Sequence, residues 1–189
     1  VGTLKYSLFG LVNLFIWMLW GDFCFTLMEM LIPSLLPLFL NNHDAPNWLI
    51  GLVVGSIPAA LNFVINPIVS TRSDRTRTRW GRRIPYLLFA SPFVTLFLIL
   101  LGWSDAIGTF LQRTVFGGNV SAAAVTIGCI IVFAVGFQCF NMFVASIFYY
   151  IFADVVPKQF MGRFMALFRM VGTVAGFIFN GYIIKHADL

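Results

Sequence analysis

Long apolar runs separated by short polar ones set the pattern of this chain. The runs cover residues 4–40, 48–71, 84–103, 121–152 and 160–185. A helix needs about 20 mostly apolar residues to cross the hydrocarbon core of a bilayer, so each run predicts a spanning helix. The first is overlong and is expected to tilt, bend or protrude. The connections fall at 41–47, 72–83, 104–120 and 153–159. The Ser104–Val120 stretch, with Phe110, Leu111 and Phe116, predicts a short helix lying in the membrane interface. The expected fold is an all-α polytopic membrane protein with no soluble domain.

Composition agrees with that pattern. Hydrophobic residues make up 60% of the chain and charged residues 10%. A soluble domain is usually about 45–50% apolar and about 25% charged, and one this apolar would expose large apolar patches. The net charge of +5 does not point to nucleic acid, because the basic residues sit in loops beside spans. Lys5, Arg72, Arg75, Arg77, Arg79, Arg82, Arg83, Lys158 and Arg163 fall on one side, Arg113 and Lys185 on the other. Loops rich in Lys and Arg stay in the cytoplasm, so the amino terminus and the 72–83 loop are expected there. The bilayer is the first partner implied.

Cys24, Cys129 and Cys139 lie inside apolar runs and read as small apolar fillers. His43 and His186 read as solvated loop or interface residues. No nucleophile–base pair, metal cluster or phosphate loop is visible, so neither an enzyme nor a cofactor is expected. The chain opens on Val1 and stops at Leu189 after an odd number of spans. It is expected to be part of something longer, or to be completed by other membrane subunits.

Charges inside spans carry information, since an ion there is costly unless it is paired or hydrated. Asp22 and Glu29 are seven residues apart in the first run, which brings them back to nearly one helical face, with Thr26 on the same stripe. Pro33 removes the hydrogen bond that the Glu29 carbonyl would accept, so a bend is expected beside the acid. Gly51, Gly55 and Ala59 recur at spacing four in the second run and lead to Asn62 and Asn66. Small residues so spaced favour a packing seam, with the amides bonding between helices. The fourth run carries Gln138, Asn141, Ser146 and Tyr149, a polar stripe suited to lining a cavity or to interhelical bonds. In the fifth, Arg169 precedes Gly172, Gly176 and Asn180 on one stripe. Arg169 is expected to meet a carboxylate, with Asp22, Glu29 and Asp154 as candidates. A structural ion pair and a substrate clamp fit equally well; the planar guanidinium suits the second.

The loop between the second and third runs resembles the signature of the major facilitator superfamily. There an acid and an Arg leave helix two, here Asp74 and Arg75, and Gly with basic residues enters helix three, here Gly81, Arg82 and Arg83. The longer loop, with Arg77, Arg79, Trp80 and Pro85, is similar to that of the glycoside–pentoside–hexuronide cation symporters and the sucrose transporters, as is the Asn66-Pro67 step. The resemblance covers essentially the whole chain. It implies the amino-terminal six-helix bundle of a 12-helix fold, of which five helices are visible.

The same resemblance implies an alternating-access carrier of a sugar-like solute in a bacterial cytoplasmic (inner) membrane, completed by a carboxy-terminal half. Gly21-Asp22-Phe23 looks like a sugar-contacting stretch of helix one in that branch, and Arg169 before Gly172 and Gly176 like its helix five. This marks Asp22 and Arg169 as substrate-site candidates, with Glu29, Gln138, Asn141 and Tyr149 facing the same site. Asp74, Arg75, Arg79, Gly81, Arg82 and Arg83 become parts of a cytoplasmic gate. Sodium-coupled members carry acids where this chain has Asn62 and Asn66. That leaves H+ through Asp22 or Glu29, or no coupling ion. An alternative expectation is a structural or assembly subunit built on such a scaffold.

Overall fold

The computed structural model describes residues 7–75, 83–115, 117, 120–156 and 160–184. At Leu8, Ser70, Ser73, Asp74, Arg75, Ala153, Asp154, Ile183 and Ile184 it describes the main chain only. Every element among these residues is helical: α1 (Leu8–Asn42), α2 (Asn47–Gly51), a π-helical turn (Leu52–Ser56), α3 (Ile57–Arg75), α4 (Ile84–Gly102), α5 (Ser104–Thr114), α6 (Ala122–Val155), α7 (Met161–Ile178) and a second π-helical stretch (Phe179–Ile184). Five stretches are long and apolar enough to cross a membrane: Phe9–Asn42, Asn47–Val69, Ile84–Gly102, Ala122–Phe152 and Met161–Tyr182. Helices are the open-chain answer to a solvent without hydrogen-bond partners, because each satisfies its own backbone. α1 has 35 residues. At about 1.5 Å per residue it outruns the roughly 30 Å hydrocarbon core.

The chain forms two compact units. One holds the described residues up to Leu31 and from Phe152 onward, the other Ile32–Ile151. The division in α1 falls beside Pro33, whose missing N–H leaves the Glu29 carbonyl without its helical donor. The helix nonetheless continues through Pro33 and Pro37.

In the first unit, Phe152, Val156 and Phe164 are buried among Phe15, Met18, Leu19, Met161 and Phe168. Their rings meet at steep angles: Phe15 and Phe164 at 4.6 Å and 59°, Phe152 and Phe168 at 5.0 Å and 83°. Such tilted pairs place ring edges on ring faces, which the ring quadrupoles favour. α7 lies against α1 through its small residues. A Cβ on Gly172 would stand 4.0 Å from Thr26 Oγ1, and one on Gly176 would stand 3.1 Å from Met30 Cε. This is the close seam that small residues permit.

The Gly51–Gly55 stripe does not behave the same way. Nothing among the described residues lies within 4 Å of a Cβ at either position, so the described helices form no seam there. Nor is the second span a plain α-helix. Pro58 has no N–H to offer Val54, and the Ile57 N–H reaches back to the Leu52 carbonyl, widening the turn into the π form.

The second unit packs Ile65, Val69 and Ile147 among Leu61, Tyr86, Leu87, Cys139, Met142, Phe143 and Ile151. α4 and α6 are joined by stacked rings, Phe93 on Phe140 at 4.7 Å and 11°, Phe97 on Phe140 at 5.8 Å and 21°. Phe97 also covers Gly136, and Gly108 of α5 sits on Thr126 of α6. α1 ends in a Schellman turn. The Ala45 N–H reaches the Leu40 carbonyl (3.0 Å) and the Asp44 N–H the Asn41 carbonyl (3.0 Å), with Asp44 at φ 57° in the position Gly usually takes. That turn presents His43, whose Nε2 shares a 2.5 Å hydrogen bond with Asp105 Oδ1 at the start of α5. His43 thus sits in a connection, as expected, and through Asp105 ties that connection to the start of α5.

Candidate functional site

Asp22, Glu29 and Arg169 all belong to the first unit. Asp22 is 2% exposed, and its Oδ2 is buried with no hydrogen-bond partner among the described residues. Glu29 shares its helical stripe but is exposed. The aromatic cluster reaches Leu19, one turn below Asp22, and Glu29 lies well beyond it. The α1–α7 seam gives the register. Thr26 faces Gly172 and Met30 faces Gly176, so the helices run parallel. One turn back, Asp22 stands level with Phe168 and Arg169.

Arg169 is exposed and makes no ion pair with Asp22 or Glu29. The expected pairing with either acid is thus absent, although the first is at the same depth. The side chain of Asp154, the third candidate, lies outside the described residues. A buried carboxylate without a partner in a spanning helix costs several kcal/mol, about the penalty for an unpaired charge.

The other candidates belong to the second unit. Asn66 Nδ2 donates to Asn62 Oδ1 one turn earlier on α3. Ser146 Oγ, on α6, donates to Asn66 Oδ1 at 2.7 Å. Asn141 is 4% exposed with its Oδ1 buried and unpartnered among the described residues. Gln138 is half-buried and Tyr149 exposed. The polar stripe therefore divides, with Ser146 bonding between helices, Asn141 enclosed and Tyr149 outward.

At the end of this unit where α4 begins, Arg83 precedes the helix and lies 4.8 Å from the centre of the Tyr150 ring on α6. Pro85 occupies the first turn of α4, where its missing N–H costs nothing. The Tyr86 hydroxyl donates to the Arg72 carbonyl of α3 at 3.5 Å. Arg79, Gly81 and Arg82, and the side chains of Asp74 and Arg75, lie outside the described residues.

One feature of α1 goes beyond the sequence-based expectations. Ile16, Trp17, Leu19, Trp20 and Phe23, with Val171 of α7, line an apolar cleft of about 540 Å³. Trp20 stacks on Phe23 at 5.7 Å and 23°. The i, i+3, i+4, i+7 spacing of Ile16, Leu19, Trp20 and Phe23 was the available signal.

Residues 18–185 match the family described as MFS/sugar transport protein. The chain belongs to that family, a transporter family and not an enzyme class. It is similar to a sucrose transport protein of Oryza sativa subsp. japonica, 34% identical over 67 residues, covering 35% of this chain and 11% of that protein. It is similar to a general alpha-glucoside permease of Schizosaccharomyces pombe, 36% identical over 80 residues, covering 42% and 12%. A membrane-associated transporter protein of Mus musculus is 28% identical over 145 residues, covering 75% and 25%. The chain thus spans a quarter or less of the length of these relatives. No solved structure matches the chain.

Proposed function

We propose that the protein carries a sugar or glycoside across a membrane by alternating access. The observation that carries this reading is the buried Asp22 oxygen that has no partner among the described residues and does not pair with Arg169, in a family of sugar transporters. A sugar offers hydroxyl donors to a carboxylate and oxygen acceptors to a guanidinium fork. One molecule can therefore satisfy both groups where a direct ion pair would exclude it. Asp22 becomes reachable when α1 and α7 part along the Gly172–Gly176 seam. Glu29 lines the path on the same stripe. Carriers of this kind rock repeat bundles about a site near the bilayer midplane. The 72–83 loop, from Asp74 and Arg75 through Arg79, Gly81, Arg82 and Arg83, then serves as a cytoplasmic gate. Asp22 or Glu29 is the group through which H+ would couple. The membrane is the bacterial inner membrane.

A melting-temperature screen of the purified protein, expressed from its native gene, tests this. Sucrose or maltose in large excess should raise the melting temperature, since a ligand at 100 times its Kd adds about 2.7 kcal/mol to the folded state. Arg169→Ala should remove about half or more of that shift, through a loss of about 10- to 100-fold in affinity. Its unliganded melting temperature should hardly change, because Arg169 is exposed and pairs with neither Asp22 nor Glu29. A wild-type protein indifferent to every sugar would contradict the reading.

A further inference from the structure

We infer that Thr26 is a second solute-contacting residue beside Asp22, its hydroxyl meeting a different oxygen of the same sugar; the inference rests on the sugar-carrier reading above. Other hydroxyls in these helices turn back on their own helix. Thr71 donates to the Pro67 carbonyl (2.8 Å), Ser91 to Leu87 (2.6 Å), Thr95 to Ser91 (3.2 Å), Thr109 to Asp105 (3.0 Å) and Thr173 to Arg169 (2.9 Å). Each acceptor lies four residues back. Hydrocarbon offers a hydroxyl nothing, so one inside a spanning helix is satisfied most cheaply this way. Thr26 lies in the spanning stretch Phe9–Asn42, and its corresponding acceptor is the carbonyl of Asp22. It does not take that bond, and its hydroxyl has no hydrogen-bond partner among the described residues.

The seam shows where the hydroxyl is instead. Thr26 Oγ1 is the atom nearest to where a Cβ on Gly172 would stand, so the oxygen, not the methyl group, faces α7. A residue there for packing alone would present the methyl and leave no polar group unsatisfied. One turn earlier on α1, Asp22 Oδ2 is buried without a partner among the described residues. Two unsatisfied polar groups thus stand on neighbouring turns, about 6 Å apart along the helix axis. Their chemistries differ: the carboxylate only accepts, while the hydroxyl donates and accepts. A sugar presents hydroxyls at neighbouring positions of one ring, each able to take either role. One donates to Asp22 and another pairs with Thr26. The parting of the Gly172–Gly176 seam that makes Asp22 reachable uncovers Thr26 in the same movement.

Calorimetric titration of the purified protein, expressed from its native gene, with sucrose, maltose and their mono-deoxy analogues tests this. Thr26→Val keeps the shape of the side chain and removes the hydroxyl. It should weaken binding of the parent sugar about 3- to 10-fold, the worth of a hydrogen bond to a neutral group, with the unliganded melting temperature held or raised. Thr26→Ser, which puts the hydroxyl back, should recover most of that loss. At least one deoxy analogue that binds wild type more weakly than its parent should bind Thr26→Val as tightly as the parent does, an effect that altered packing would not produce. A Thr26→Val variant that binds the parent sugar as wild type does, or that keeps the full discrimination against every deoxy analogue, would overturn this inference alone, as would a Thr26→Ser variant no better than Thr26→Val. Failure of both sugars to bind wild type would overturn the carrier reading and this inference with it.

Discussion

Asp22→Asn should weaken solute binding by about 10- to 100-fold while leaving the protein folded. A hydrogen bond to a charged group contributes about 1.5–3 kcal/mol, and each 1.4 kcal/mol is about a factor of ten in affinity. Asn keeps the shape of Asp22 but replaces an acceptor-only carboxylate by an amide that presents one acceptor and two donors. In the unliganded protein the exchange is gentle. Asp22 is 2% exposed with an oxygen that has no partner among the described residues, and a neutral amide is cheaper to bury than a lone carboxylate. The melting temperature should hold or rise as affinity falls. Titration calorimetry beside thermal melting reads both. The reverse result, lower stability with unchanged affinity, would make Asp22 a structural residue. If H+ couples through Asp22, the same variant should lose accumulation driven by a pH gradient. Glu29→Gln would then separate the two acids.

The second large effect concerns close approach. A Cβ on Gly108 would stand 2.8 Å from the main-chain Cα of Thr126, and one on Gly136 would stand 2.7 Å from Phe97 Cδ1. Neither neighbour yields easily: the first is backbone, and the second is a ring stacked on Phe140. Gly108→Ala and Gly136→Ala should each cost about 1–3 kcal/mol through overpacking. For a chain of this size that corresponds to a drop of about 3–10 °C in melting temperature. Gly128→Ala is the control. Nothing lies within 4 Å of its Cβ, and Ala is the better helix former by about 1 kcal/mol, so that variant should melt at or above the wild-type temperature. Equal melting of all three would mean that α4, α5 and α6 do not approach this closely.

The contrast between two glycine stripes shows what the sequence could and could not convey. The apolar runs are legible because crossing a membrane is a requirement on length and composition. A stripe of small residues says only where a close approach is possible. Gly172 and Gly176 meet Thr26 and Met30, while Gly51 and Gly55 at the same spacing meet nothing among the described residues. Which stripe finds a partner depends on how the helices assemble. Asp22 and Glu29 repeat the lesson, sharing a helical face on which only Asp22 is covered. The π turn at Leu52–Ser56 was foreshadowed by Pro58. By contrast, the reach of Ser146 to Asn66 and the pairing of His43 with Asp105 join residues 80 and 62 positions apart. No local pattern announces such contacts.

The central claim is that Asp22 takes part in carrying a sugar. Counterflow tests it most directly. Proteoliposomes containing the protein expressed from its native gene are loaded with unlabelled sucrose or maltose and diluted into a trace of the same labelled sugar. The account predicts a transient accumulation of label with wild type and its loss with Asp22→Asn. Folded, reconstituted wild-type protein that accumulates neither sugar, or an Asp22→Asn variant that exchanges it at the wild-type rate, would contradict the account.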